Sequence, residues 1–224
     1  MLTAACNIEC SMTPIQAVLF DYGLVLSGPP LPAAWARIRS ITALDEPTLH
    51  REYWAHRHDY DRGTLNGITY WQQVAIGGNI HLTGAQIHDL QAADTDLWGE
   101  INLPMLTWVQ SLQQARIRTG ILSNIGDAMS SGLIAKHPWI QAFDHCTWSH
   151  TLKLAKPEAA IYHAAAAGLQ TPPANILFID DRIENIQAAY ATGMQAIQYS
   201  DHPTFEQQMH TRGLGHLLKP ATKS

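Results

Sequence analysis

Four short, mostly apolar runs in this chain each end at polar residues, and that recurrence restricts its folds more than any other feature. They are Ile15 to Phe20 (IQAVLF, then Asp21), Ile117 to Ser123 (IRTGILS, then Asn124), Ile176 to Ile179 (ILFI, then Asp180 and Asp181) and Gln195 to Tyr199. Such runs read as buried strands of a parallel sheet whose carboxyl ends carry polar chemistry. Helical patterns separate them: about 105 to 116, about 127 to 136, Pro157 to Ala167 with proline in the first turn, and Glu184 to Thr192 ending at Gly193. Strands alternating with helices predict a Rossmann-like α/β fold, a three-layer core around an open parallel sheet, with the ligand beyond the strands' carboxyl ends.

Residues 29 to 98 interrupt that rhythm. The stretch is rich in Trp, His and helix-compatible segments and offers no convincing buried strand, so it predicts an inserted helical cap, entered at Pro29 and Pro30 and left around Gly99 to Pro104. The expected organisation is a loose tail over 1–13, a core domain made of 14–28 and 99–224, and a cap over 29–98. A chain of 224 residues buries roughly 70% of its unfolded surface, and with 46% hydrophobic and 15% charged residues it is too apolar to be disordered. The net charge of -5, without a basic stripe, argues against nucleic acid as a partner. No apolar run approaches the roughly 20 residues that span a bilayer, so no membrane partner is expected. The three cysteines, Cys6, Cys10 and Cys146, form no disulfide framework, and the N-terminus lacks the positive n-region of a signal peptide, so the cytoplasm is the expected compartment.

The strand ends deliver Asp21, then Ser123 and Asn124, then Asp180 and Asp181; Lys156 (LAKPEAAIY) stands just before a helix start. In a doubly wound sheet these converge on one small volume. Carboxylates there are hard oxygen ligands for Mg²⁺, the lysine and hydrogen-bond donors suit a phosphate, and a carboxylate attacking phosphorus forms an aspartyl-phosphate. Each residue alone has a plainer reading: a strand-end Asp is commonly a turn or helix cap, Asp181 with Glu184 has the spacing of a capping box, Ser123 and Asn124 make an ordinary turn, and Lys156 is solvated. Their order, each directly after an apolar run, favours the site.

In that order the segments VLFDYGLVL, ILSN, KPEAAIY and FIDDRIENIQAA resemble the haloacid dehalogenase (HAD) superfamily, in particular members with a helical cap inserted after the first strand. The resemblance covers about residues 15 to 200. It implies a HAD-like hydrolase in which Asp21 is the nucleophile and a metal ligand, and the Gly23 carbonyl a second ligand. Ser123 and the backbone around Asn124 hold the phosphoryl group, Lys156 neutralises charge, Asp181 binds Mg²⁺ directly, and Asp180 does so directly or through water. The implied reaction is Mg²⁺-dependent phosphohydrolysis of a small phosphorylated metabolite. The alternatives are a 2-haloacid dehalogenase, against which the two adjacent acids weigh, and a HAD-fold binding or regulatory protein without turnover.

One departure from the family carries chemical information. Most phosphatases of the superfamily have a second Asp two residues after the nucleophile, as the acid that protonates the leaving group; here the position is Gly23. The DxG pattern and the segment around Arg62 and Gly63 are similar to a group that includes α-glucose-1-phosphate phosphatases, near the phosphatase-like domain of soluble epoxide hydrolases. A sugar phosphate with an anomeric leaving group, which depends less on protonation, suits the gap. In the cap string REYWAHRHDYDRGTLNGITYW, Arg62, His56 and His58 are the candidates to reach the site, while His56 and His58, two apart, are poorly spaced for zinc. Trp54, Tyr60, Tyr70 and Trp71 read as cap packing.

Overall fold

The structure, a computed structural model, describes residues 14–220; the expected tail 1–13, with Cys6 and Cys10, lies outside the described residues. In chain order the elements are β1 (Ala17–Phe20), α1 (Pro32–Thr42), α2 (Glu46–Ala55), α3 (Arg57–Arg62), α4 (Gly67–Gly77), α5 (Gly84–Leu97), α6 (Leu103–Gln114), β2 (Arg118–Ser123), α7 (Asp127–Lys136), β3 (His145–Trp148), α8 (Ser149–Leu152), α9 (Ala159–Gly168), β4 (Ile176–Asp180), α10 (Ile183–Ala191), β5 (Gln195–Gln198) and α11 (His202–Thr211). The strands form one parallel sheet in the order β3-β2-β1-β4-β5.

Alternation along the strands divides the core. Val18, Phe20, Ile121, Leu177 and Ile179 face one side and pack with Trp108 of α6, Leu133 of α7 and Phe205 of α11. Ala17, Leu19, Leu122, Ile176 and Phe178 face the other and pack with Tyr162 of α9 and Ile186 of α10. Covering both faces gives three layers, and each fully buried aromatic or aliphatic side chain contributes roughly 1.5–3 kcal/mol.

Two expectations are corrected. β3 is a strand that apolar patterning misses, because HCTW is short, only partly buried and paired with β2 alone at the sheet's edge. α9 starts at Ala159, so Pro157 lies in the preceding turn and not in the helix's first turn. α10 ends as expected, with Gly193 at φ +88, a left-handed conformation in which a side chain is strained.

α1 to α5 have their own apolar core around Ile38, Leu49, Tyr53, Tyr70, Trp71 and Leu90. The two strands of chain that join these helices to the sheet run side by side: Gly28 N donates to Glu100 O and Leu31 N to Leu97 O, both at 2.8 Å.

The chain fills β1, β2 and β3 outward on one side, then crosses to β4 and β5 on the other. Its direction reverses between β1 and β4, and ligands of open α/β sheets bind at the carboxyl ends there. Phe20 is in register with Ile179, so the next residues, Asp21 and Asp180, come side by side.

Candidate active site

Adjacent parallel strands lie about 4.8 Å apart, so the register that aligns β1 with β4 forces two carboxylates together. Lys156 resolves the conflict. Its Nζ is 2.8 Å from Asp21 Oδ1 and 2.7 Å from Asp180 Oδ2, with all three residues buried. The lysine comes from the turn before α9, and that turn is held by Asn124: Lys156 N donates to Asn124 Oδ1 (2.8 Å) and Asn124 Nδ2 donates to Lys156 O (3.0 Å). The side chain of Asn124 therefore positions the lysine. Ser123 ends β2 on the wall of the same cavity, its hydroxyl without a hydrogen-bond partner among the described residues.

Asp180 is fully enclosed. Besides Lys156 it accepts from Arg182 N (2.8 Å) and from Asn185 Nδ2 (2.9 and 3.0 Å to its two oxygens). Asn185, in the first turns of α10, was not legible as a site residue; its signal is its position one helical turn after the paired acids. The capping box of Asp181 and Glu184 does not form, since α10 has no side-chain cap and Glu184 pairs with Arg182. That leaves the Asp181 carboxylate on the cavity wall.

Burial raises the Asp21 carboxyl above its ordinary range; Lys156 pulls it back, and Asp180 and Asp181 push it up. Burial and Asp180 also raise Asp181. Burial alone would lower Lys156, but Asp180 and Asp21 outweigh it and hold the ammonium above its ordinary value. One oxygen from each of Asp21, Asp180 and Asp181 lies within 4.8 Å of the others. Three carboxylates facing one ammonium carry excess negative charge on hard oxygen donors, a donor set that fits Mg²⁺.

Beyond the cluster opens a cavity of about 440 Å³, with core residues on one side and cap residues on the other. Of the three expected cap candidates, His58 lines it. His56 sits at the junction of α2 and α3, and Arg62 is held in an ion pair with Glu158 beside the Lys156 turn; neither is among the lining residues. The wall instead receives Arg57, Asp61 and Trp54. Arg57 Nε bonds Asp61 Oδ1 at 2.9 Å, and Arg57 Nη1 reaches Asp94 at 3.2 Å and the Tyr53 hydroxyl at 2.6 Å. An arginine and an acid four apart on one helix, inside an aromatic stretch, was the available signal. Tyr60, Tyr70 and Trp71 pack the cap as expected, Tyr60 and Tyr70 stacking at 4.6 Å, whereas Trp54 is 48% exposed and faces the cavity.

Gly23 has φ −64 and ψ 131, and a Cβ there would meet nothing within 4 Å. Neither backbone strain nor crowding explains its missing side chain; the left-handed residue of this turn is Leu24, at φ 58.

Residues 15–193 match the family described as haloacid dehalogenase-like hydrolase. Among curated proteins the chain is similar to the drimenol cyclase drtB of Aspergillus calidoustus, 23% identical over 198 residues that cover 87% of this chain and 36% of drtB. It is likewise similar to the sesquiterpene phosphatase astK of Aspergillus oryzae, 23% identical over 190 residues that cover 84% of this chain and 92% of astK. The chain thus spans about a third of drtB's length. Among solved structures, the HAD family enzyme bt-2542 of Bacteroides thetaiotaomicron superposes with a TM-score of 0.73 at 18% identity, covering 88% of this chain and 99% of that one. The same enzyme has been crystallised with magnesium and inorganic phosphate. The L-2-haloacid dehalogenase of Xanthobacter autotrophicus superposes with a TM-score of 0.62 at 15% identity, covering 94% and 90%. With a family match over most of its length on a fold shared with HAD enzymes, the chain belongs to the haloacid dehalogenase-like hydrolases.

Proposed function

We propose that this hydrolase is a Mg²⁺-dependent phosphatase that acts through an aspartyl-phosphate on a small phosphorylated metabolite. The observation that carries the reading is Lys156 Nζ held at 2.8 and 2.7 Å between Asp21 and Asp180, with Asp181 beside them, at the sheet's switch point. Asp21 Oδ1 accepts from Lys156 Nζ and from Tyr22 N (2.7 Å), while Oδ2 has no hydrogen-bond partner among the described residues. Oδ2 is therefore the attacking oxygen. Its bond to phosphorus forms as the bond from phosphorus to the substrate's alcohol oxygen breaks; water then attacks phosphorus, releasing phosphate and regenerating the carboxylate. Lys156 offsets negative charge through both steps, and the Ser123 hydroxyl donates to the phosphoryl oxygens. Asp21, Asp180 and Asp181 would hold Mg²⁺, with the Gly23 carbonyl as the family resemblance implies; the ion supplies charge neutralisation at the phosphoryl group.

The cavity wall also bears on the alcohol part of the substrate. Tyr22, Leu24, Trp54, Trp98, Ile125 and Met129 line it, and Trp54 and Leu24 are among the exposed large apolar residues of the protein. Asn185 and Arg57 are already engaged with Asp180, Asp61 and Asp94. This wall favours a leaving alcohol with an apolar face over a sugar, and the similarity to a protein named sesquiterpene phosphatase supports the same direction.

The test is phosphate release from an isoprenoid monophosphate and from glucose 1-phosphate, each with Mg²⁺ and with EDTA. Metal-dependent hydrolysis, faster on the isoprenoid ester, is expected. Preference for glucose 1-phosphate would restore the sugar-phosphate expectation. A metal-independent rate on 2-chloropropionate with none on phosphate esters would select a dehalogenase.

A further inference from the structure

An alkoxide leaving phosphorus without a proton forgoes a general-acid contribution of typically about 10²–10⁴ in rate. The glycine at 23 cannot supply that proton, and an ordinary alcohol, unlike an anomeric oxygen, depends on it. Three carboxylates line the cavity: Asp21 and Asp181 belong to the metal cluster, and the third is Asp61 of α3. We propose that Asp61 is the general acid–base residue of this site, supplied by the cap in place of the family's usual acid. The assignment rests on the phosphatase reading above.

Geometry supports it first. Asp61 Oδ1 is fixed by Arg57 Nε, and Arg57 is itself fixed by Asp94 and the Tyr53 hydroxyl. Asp61 Oδ2 has no hydrogen-bond partner among the described residues, and the side chain keeps 16% exposure on the cavity wall. The backbone is fastened to the core at three successive residues. Asp61 O accepts from the buried Ser149 hydroxyl, which in turn accepts from Ile125 N (2.8 Å) just beyond Ser123 and Asn124. Arg62 pairs with Glu158, whose carboxylate also accepts from Ala155 N (3.1 Å), next to Lys156. Gly63 adopts φ +82 and approaches so closely that a Cβ would lie 2.4 Å from His150 O. The cap segment thus rests on the two loops that present the phosphoryl-binding groups and the lysine.

The proton state agrees. Burial pushes the Asp61 carboxyl up, with Arg57 pulling it back, to about 6, close to the working pH at which a group both gives and takes a proton efficiently. As Asp21 Oδ2 bonds to phosphorus and the ester P–O bond breaks, protonated Asp61 gives its proton to the departing oxygen, yielding the free alcohol. The Asp61 carboxylate then takes a proton from the water that attacks the aspartyl-phosphate; the P–O bond to Asp21 breaks, and both groups return to their starting states.

The experiment compares kcat/KM for p-nitrophenyl phosphate, whose leaving group needs no acid, and for an n-alkyl phosphate, in wild type and in Asp61→Asn. kcat/KM covers binding through phosphoryl transfer to Asp21 and is blind to the later hydrolysis of the aspartyl-phosphate. The near-isosteric variant should lose about 10²–10⁴ on the alkyl ester and less than about tenfold on the aryl ester. An equal loss on both overturns the assignment while leaving the phosphatase reading intact. A wild type inert on both overturns the phosphatase reading and the acid with it. Wild type alone provides a second measurement that does not require the variant to fold: across esters of rising leaving-group pKa its kcat/KM should fall only shallowly, and a steep decline excludes a protein acid.

Discussion

If the acid of this site stands at 61, moving it to 23 in an Asp61→Asn background should restore what was lost. The structure makes the test clean. Gly23 sits at φ −64 and ψ 131, a conformation open to any residue, and its Cβ direction is clear of other atoms for 4 Å, so Gly23→Asp brings no backbone strain or clash of its own. A leaving-group proton is worth about 10²–10⁴, or about 2.7–5.4 kcal/mol of barrier at 1.36 kcal/mol per tenfold. The double variant should recover at least about tenfold of that on an n-alkyl phosphate and little on p-nitrophenyl phosphate, while Gly23→Asp alone, with Asp61 present, should change the ratio of the two kcat/KM values by less than about threefold. Taking the ratio cancels any shared loss from poorer metal binding. The reasoning is refuted if the single variant already shows the full gain on alkyl esters, for then the wild type has no acid. It is equally refuted if the double variant folds and binds Mg²⁺ yet its ratio does not move.

Other substitutions separate the roles at the sheet's end. Asp21→Asn should abolish turnover in a protein that still folds, because it keeps the side chain's shape and removes the nucleophile; retained activity in a clean preparation refutes the assignment. EDTA should stop the reaction and Mg²⁺ restore it, with Asp181→Ala raising the Mg²⁺ concentration needed for half-maximal rate. Asp180→Ala should also unsettle the fold, by about 3–5 kcal/mol in urea denaturation, because Lys156 and Asn185 lose a buried partner. Arg62→Ala should change stability by about 1 kcal/mol or less, since the ion pair is 30% and 39% exposed.

The core was legible because strands buried on both faces write themselves as apolar runs, and the polar residue after each run has no role inside the sheet. The convergence of Asp21, Lys156, Asp180 and Asp181 followed from that placement. β3 was illegible because only one of its four residues is fully buried, so HCTW carries no apolar run, whereas the other edge strand, β5, buries two adjacent residues and does. The cap was legible as helical, and of its contribution to the cavity His58 was legible while Trp54, Arg57 and Asp61 were not. His56, His58 and Arg62 carry the more conspicuous chemistry, but which face of α3 meets the core is decided by tertiary contacts, the close approach at Gly63 and the Ser149 bridge to Asp61 among them. Asn124 shows the same limit: sequence places it at the site, and only the structure assigns its side chain to the Lys156 backbone.

The Arg57 network couples stability to the same proton that Asp61 is proposed to transfer. The charged and titratable groups acting on Asp61 are Arg57 and His58 on its own helix and Asp94 from α5. Because the folded-state value near 6 lies above the ordinary 3.8, folding favours protonated Asp61. The contribution is whole below pH 4 and is lost as pH rises through 6, at most about 3 kcal/mol by linkage. Arg57→Met removes the cation that limits this loss and leaves Asp61 and Asp94 as buried carboxylates without their counter-ion. At pH 8 it should cost about 3–5 kcal/mol, and the cost should shrink toward pH 5 as the Asp61 carboxyl takes up its proton. In the surviving folded enzyme, Asp61 holds its proton to higher pH, so the alkaline limb of kcat/KM on an alkyl phosphate moves upward while the aryl profile stays put. A stability gap that does not narrow on acidification would show that Arg57 is held by packing and not by charge. An alkaline limb that stays fixed would mean that another group delivers the proton.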